Sequence, residues 1–104
     1  MKHYTCKVLG DVSDATAEQT ALLLKGACEA AGTTVIQQIS HKFDRQGFST
    51  LLLLSESHCS YHSWPEHGFA LVDYFSCADD PKIEIFEAHL RRKFEIKEPV
   101  VILR

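Results

Sequence analysis

From Leu51 to Cys77 the chain reads LLLLSESHCSYHSWPEHGFALVDYFSC. The stretch gathers a Glu56-Ser57-His58 triplet, a second imidazole at His62, a Trp64-Pro65-Glu66 turn and a thiol at Cys77. A hydroxyl set between a carboxylate and an imidazole belongs to the residue types that supply nucleophiles, acids and bases. Ser57 is its centre. His58 and His62, with Cys59 between them, are also zinc-binding types. On a strand, positions four apart lie about 13 Å from each other, too far to share one ion directly. A serine beside a glutamate is equally at home on a strand surface. Residue types alone therefore leave a structural role open beside a chemical one.

The elements that would position these groups follow from periodicity. Lys2 to Leu9 places Tyr4, Cys6 and Val8 on one face, the pattern of a strand. Ser13 or Asp14 then offers a helix cap, and Ala15 to Ala31 is rich in good helix formers. Its apolar stripe runs through Ala17, Ala21, Leu24, Cys28 and Ala31, with Gly32 placed to end the helix. Thr33 to Phe43 predicts a second strand marked by Val35 and Ile39. A turn at Asp44 to Gly47 leads to a strand over Phe48 to Ser55, continuing through His58 to His62. Its four consecutive leucines predict a central strand buried on both faces. Trp64 to Gly68 is a turn, and Phe69 to Cys77 another strand. Asp79-Asp80-Pro81 starts a second helix with the stripe Ile83, Phe86, Leu90, Phe94 and with Arg91, Arg92 and Lys93 near its end. Glu98 to Leu103 is a last strand, put at an edge by Pro99. The order β-α-β-β-β-α-β predicts an α/β (α+β) two-layer sandwich: a mostly antiparallel sheet with two helices on one face.

At 104 residues the chain is expected to be one domain, 1–104. A net charge of −3 gives no electrostatic argument for nucleic acid or an anionic membrane, and neither is expected as a partner. No apolar run approaches the roughly 20 residues that span a bilayer, and no leader-like apolar region opens the chain. The spacing of Cys6, Cys28, Cys59 and Cys77 fits no paired CxxC zinc pattern, so reduced thiols in the cytoplasm are expected.

Ser55-Glu56-Ser57-His58, His62-Ser63-Trp64-Pro65-Glu66, Gly68-Phe69-Ala70 and Asp73-Tyr74-Phe75-Ser76-Cys77 together resemble the core signature of the S-adenosylmethionine decarboxylases in their small bacterial and archaeal form. Upstream, Phe43 and Gly47-Phe48-Ser49 resemble the family's Phe and Gly-Val-Ser. The resemblance implies a proenzyme that cuts itself between Glu56 and Ser57, giving chains 1–56 and 57–104. Ser57 would become a pyruvoyl group, the cofactor, which forms a Schiff base with the substrate and acts as the electron sink that pyridoxal phosphate supplies elsewhere. It further implies that Ser49 and His62 serve processing, with His62 as the acid/base group. Cys77 would return a proton after carbon dioxide leaves; a thiol suits this because its ordinary pKa is about 8.5. Glu66 would hold the ribose hydroxyls and Phe43 would stack on adenine near the sulfonium. Trp64 and Pro65 would hold the turn. No metal is expected. The implied product is the aminopropyl donor for spermidine synthesis, and the implied assembly a homodimer of processed protomers.

The chain departs from the family pattern in two places. Lys7 stands four positions after His3, where members carry an acidic residue, and Ala78 follows Cys77 in place of a Gly. The same pyruvoyl machinery serves arginine and ornithine decarboxylases, and a non-cleaving binding module is a third reading. Retention of Phe43 and Glu66 leans towards the nucleoside.

Overall fold

The computed structural model describes every residue except Asp79. The elements are β1 (Lys2–Gly10), α1 (Ala17–Ala30), β2 (Val35–Lys42), β3 (Phe48–Leu54), β4 (Ser57–Trp64), β5 (Phe69–Ser76), α2 (Ile83–Leu90) and β6 (Phe94–Leu103). The strands form one sheet in the order β2-β3-β4-β5-β1-β6, and every neighbouring pair is antiparallel. The α+β sandwich expected from periodicity is the fold. The run from Phe48 to His62 folds back at Ser55-Glu56, where Leu54 pairs with Ser57, so it supplies two strands of a tight hairpin.

Alternation assigns each face. Tyr4, Cys6 and Val8 of β1, Leu52 and Leu54 of β3, Cys59 and Tyr61 of β4, and Val72 and Tyr74 of β5 are all buried under the helices. Ala17, Ala21, Leu24 and Cys28 of α1, with Ile83, Phe86 and Leu90 of α2, close over them. Each large apolar side chain taken from water here contributes about 1.5–3 kcal/mol. Tyr74 stacks on Phe86 at 4.4 Å between ring centroids, and its hydroxyl lies 3.0 Å from Thr33 Oγ1.

Among the described residues, no helix covers the other face. Leu51 and Leu53 of β3 are 47% and 52% exposed, which corrects the expectation of burial on both faces. A run of four leucines reads as doubly buried, but only Leu52 and Leu54 point to the core. Nor is β3 central: it lies second from one edge, beside β2.

Three boundaries also differ from expectation. Residues 11–14 form turns, and α1 is capped by Thr16, whose Oγ1 accepts from Gln19 N–H at 3.1 Å, rather than by Ser13 or Asp14. Its far end is as expected. Gly32 takes φ +98°, and Thr33 N–H and Gly32 N–H return to the carbonyls of Cys28 and Glu29. The second helix stops at Leu90, so Phe94 opens β6 instead of closing a helical stripe, and Arg92 and Lys93 lie in the intervening turn. The carbonyls of Glu87, His89 and Leu90 accept from Arg91, Arg92 and Lys93 N–H, which ends the helix in a tightening turn. Lys82 precedes this helix without a side-chain cap; the Asp79 part of the expected start lies outside the described residues. β6 is an edge strand, as Pro99 required. Between Lys97 and Val100 its register against β1 shifts by a bulge, and Glu98 there has φ +52°.

Candidate active site

The tip of the β3–β4 hairpin is a two-residue connection, Ser55-Glu56. Glu56 has φ +65°, one of two non-glycine residues in the left-handed region among those described. A residue with a Cβ held there carries strain of about 1–3 kcal/mol. The next residue, Ser57, is 7% exposed, and its Oγ accepts from Cys77 N–H at 2.9 Å. The peptide between Glu56 and Ser57 therefore joins a residue held in the left-handed region to a serine whose hydroxyl is anchored from the end of β5.

Cys77 differs from the other thiols. Cys6, Cys28 and Cys59 are buried in the core, whereas Cys77 is half-buried just beyond β5; all four are free. Burial pushes the Cys6 thiol up to about 11. The Cys28 hydrogen bond and burial push the Cys59 thiol well above its ordinary value. These three are apolar fillers.

A second constellation lies at the opposite end of the same hairpin. Ser49 pairs with His62 across β3 and β4, and Ser49 Oγ lies 2.7 Å from His62 Nδ1. Phe43, Ser49, His62, Trp64 and Glu66 line a cleft of about 390 Å³, within the range of small-molecule sites. Trp64 stacks on Phe69 at 5.5 Å and also forms part of the cleft wall. Ser63 Oγ fastens the cleft floor: it accepts from Phe48 N–H at 3.0 Å and donates to Phe48 O at 3.2 Å. Gly47 is required beneath it. Its φ is +89°, and a Cβ there would sit 3.2 Å from both Ser63 O and Pro65 Cδ.

The fold thus brings Glu56, Ser57 and Cys77 together at one end, and Phe43, Ser49, His62 and Glu66 together at the other. It does not join the two groups within one chain. Ser57 and His62 are five residues apart on β4, about 17 Å at strand rise. The odd spacing also turns them to opposite faces: Ser57 towards the helices, His62 towards the open face.

Sequence reasoning passed over a third group on the open face. His3 Nε2–H donates to Asp73 Oδ2 at 2.7 Å, and His58 Nε2 lies 3.4 Å from the same oxygen. Ser60 Oγ donates to Asp73 Oδ1. Burial raises the Asp73 carboxyl, but the hydrogen bonds from Ser60 and His3 and the field of His58 outweigh it and hold the carboxyl below its usual range. Period-two alternation was the available signal, since it puts His58, Ser60 and Asp73 on one face. The pairing of β1 with β5 that adds His3 is tertiary.

Comparison with known proteins adds four findings. A sequence profile of the S-adenosylmethionine decarboxylase family matches residues 4–102. The S-adenosylmethionine decarboxylase proenzyme of Thermodesulfovibrio yellowstonii is 36% identical over 85 residues, covering 82% of this chain and 63% of that protein. The proenzyme of the same name from Synechococcus sp. strain WH7803 is 48% identical over 65 residues, covering 62% of this chain and 51% of that one. The matched stretches thus span between half and just under two thirds of these relatives' own length. The crystal structure of the adenosylmethionine decarboxylase from Aquifex aeolicus VF5 superposes with a TM-score of 0.82 at 30% identity, covering 99% of this chain and 88% of that one.

Proposed function

The chain belongs to the S-adenosylmethionine decarboxylase family, and from that premise we propose that it is a self-processing proenzyme that decarboxylates S-adenosylmethionine through a pyruvoyl group made from Ser57. The observation that carries this reading is the left-handed Glu56 at the hairpin tip, directly before a buried Ser57 whose Oγ is held by Cys77 N–H. An amide resists attack by resonance. Relief of the left-handed strain at Glu56 once the chain is cut would favour the cleaved product.

Ser57 Oγ adds to the Glu56 carbonyl carbon and the C–N bond breaks, so the amide becomes an ester and the nitrogen of residue 57 becomes a free amine. His62, held by Ser49, is the base that takes the α-proton of residue 57. The ester C–O bond breaks and Glu56 leaves as the carboxylate end of 1–56. Water then displaces the nitrogen of the unsaturated residue 57 as ammonia, and 57–104 begins with pyruvoyl. That group supplies an electron sink for the carbanion left when carbon dioxide departs. Cys77, anchored next to residue 57, returns a proton to the substrate carbon. Glu66 accepts from the ribose hydroxyls, and Phe43 and Trp64 offer aromatic walls to the adenine and the sulfonium.

The separation of the two groups supports a homodimer. The open face presents Ile39, Leu51, Leu53 and Leu71, all exposed. Two copies packed through it, about a sheet spacing of 10 Å apart, would cover these side chains. A two-fold axis lying across the strands lays the Ser57 end of one sheet over the Ser49–His62 end of the other. Each site then takes residue 57 and Cys77 from one copy, and Ser49, His62, Phe43 and Glu66 from its partner. The four free thiols fit the cytoplasm, where they stay reduced. The product would be the aminopropyl donor for spermidine synthesis.

Intact-mass measurement under denaturing conditions tests the precursor claim. Two species, 1–56 and 57–104, are expected, with Ser57→Ala uncut; one uncut wild-type species after long incubation overturns it. Carbon dioxide release from S-adenosylmethionine, but not from arginine or ornithine, is the expected substrate result.

A further inference from the structure

We propose that His3, His58 and Asp73 form a binding site for one divalent transition-metal ion on the open face of the sheet. The three residues lie on neighbouring strands, β1, β4 and β5. Their ligand atoms all fall within 4.8 Å of one another. Four-coordinate zinc with such ligands spaces them roughly 3.3 Å apart. The contacts of 2.7 and 3.4 Å around Asp73 Oδ2 bracket that spacing, so small side-chain adjustments suffice.

Both imidazoles direct Nε2 at the same carboxylate oxygen, Asp73 Oδ2. With their protons on Nδ1, two Nε2 lone pairs and Oδ2 converge on one point, and an ion takes all three atoms at once. The carboxylate is already oriented for this, because Ser60 donates to Asp73 Oδ1 and leaves Oδ2 for the ion. Two imidazoles and a carboxylate select zinc, cobalt or iron(II) over magnesium or calcium, which take oxygen ligands. Nε2 ligation requires the proton on Nδ1 of His3, so the contact from Arg104 Nη2 to His3 Nδ1, 3.2 Å here, is given up on binding. This departs from the expectation of no metal, and it uses a different histidine pairing from the His58–His62 pair that strand geometry rejects.

His3 precedes the Glu56–Ser57 bond, whereas His58 and Asp73 follow it. The ion would therefore tie the two products of the cut together. That consequence rests on the proposed processing; the binding does not.

The test is titration of the metal-stripped full chain with Co²⁺, followed in the visible spectrum, with Zn²⁺ as competitor. One Co²⁺ per chain is expected, with ligand-field bands, no thiolate charge-transfer band, and displacement by Zn²⁺. His58→Ala should weaken binding at least about tenfold. His58 is half-exposed and its one side-chain hydrogen-bond contact among the described residues is to Asp73, so this variant keeps the fold even where His3→Ala or Asp73→Asn does not. His67→Ala should leave binding unchanged. Ser57→Ala should bind as wild type does, which separates this result from failure of the processing reading. No saturable Co²⁺ uptake, a thiolate band, or His58→Ala binding with wild-type affinity overturns the proposal.

Discussion

The two ends of the β3–β4 hairpin are built differently. At the tip, Ser55-Glu56 reverses the chain in two residues, Glu56 is forced into the left-handed region, and Ser57 is buried and anchored by Cys77 N–H. At the other end the chain opens into a cleft, where Phe43 and Glu66 are exposed and the Ser49–His62 pair is stacked across two strands. The tip places one peptide bond between a left-handed residue and an anchored serine. The cleft offers aromatic, carboxylate and imidazole groups to something that arrives from outside. A regular antiparallel ladder keeps the two apart, because each residue adds about 3.4 Å and alternates faces. One rigid hairpin thus carries both halves of the proposed chemistry and cannot close them on each other.

The largest effect that tests this division comes from complementation. Ser57→Ala and His62→Ala, each expressed alone, should lack decarboxylase activity. Co-expressed, they should recover about a quarter of wild-type activity, since half the dimers are mixed and one of their two sites is intact. A mixture that stays inactive would place both ends of the hairpin in one site and break the comparison.

Cys77→Ala acts only at the tip. It should still yield 1–56 and 57–104 by mass, with turnover reduced about a hundredfold or more. Full activity would remove Cys77 from its donor role. Glu66→Gln acts only in the cleft; KM for S-adenosylmethionine should rise about tenfold with kcat changed less, as expected for loss of a charged hydrogen-bond acceptor. An equal fall in kcat would move Glu66 from binding into the chemistry.

The smallest effect is on stability. Gly47→Ala should cost about 1–3 kcal/mol in denaturant unfolding, because it adds a left-handed penalty to a collision with Ser63 and Pro65. Gly32→Ala has a similar φ of +98° but open space around it, and should cost less. Equal losses would show that the close approach beneath the cleft does not matter.

Much of the fold was legible in short patterns. The stripe of α1 and the alternation of β1 and β5 are local, and local spacing determines which side chains face the helices. The four leucines misled because an apolar run does not say whether its second face meets a helix or stays open. Phe94 continued the helical spacing of Ile83, Phe86 and Leu90 and yet begins a strand; in either conformation it is buried, and pairing of Gly10 with Phe94 decided which. Thr16 was missed as a cap because turns at 11–14 delay the helix by two residues. Phe43, Ser49, Glu56, Ser57, His62, Glu66 and Cys77 were named from motif, but their division between two ends was not drawn, and the His3–Asp73 group was passed over. The odd spacing of Ser57 and His62 contained that information.

The sequence by itself determined the kinds of groups available and their order: a serine after a glutamate, an imidazole five residues on, a thiol twenty on, and the motif that assigns the chain to its family. Only the tertiary structure decided which of them meet. Cys77 reaches Ser57 because β4 and β5 are neighbours in register, and His3 joins Asp73 because β1 inserts beside β5. His62 stays about 17 Å from Ser57 because both sit on one extended strand, where sequence proximity enforces distance rather than contact.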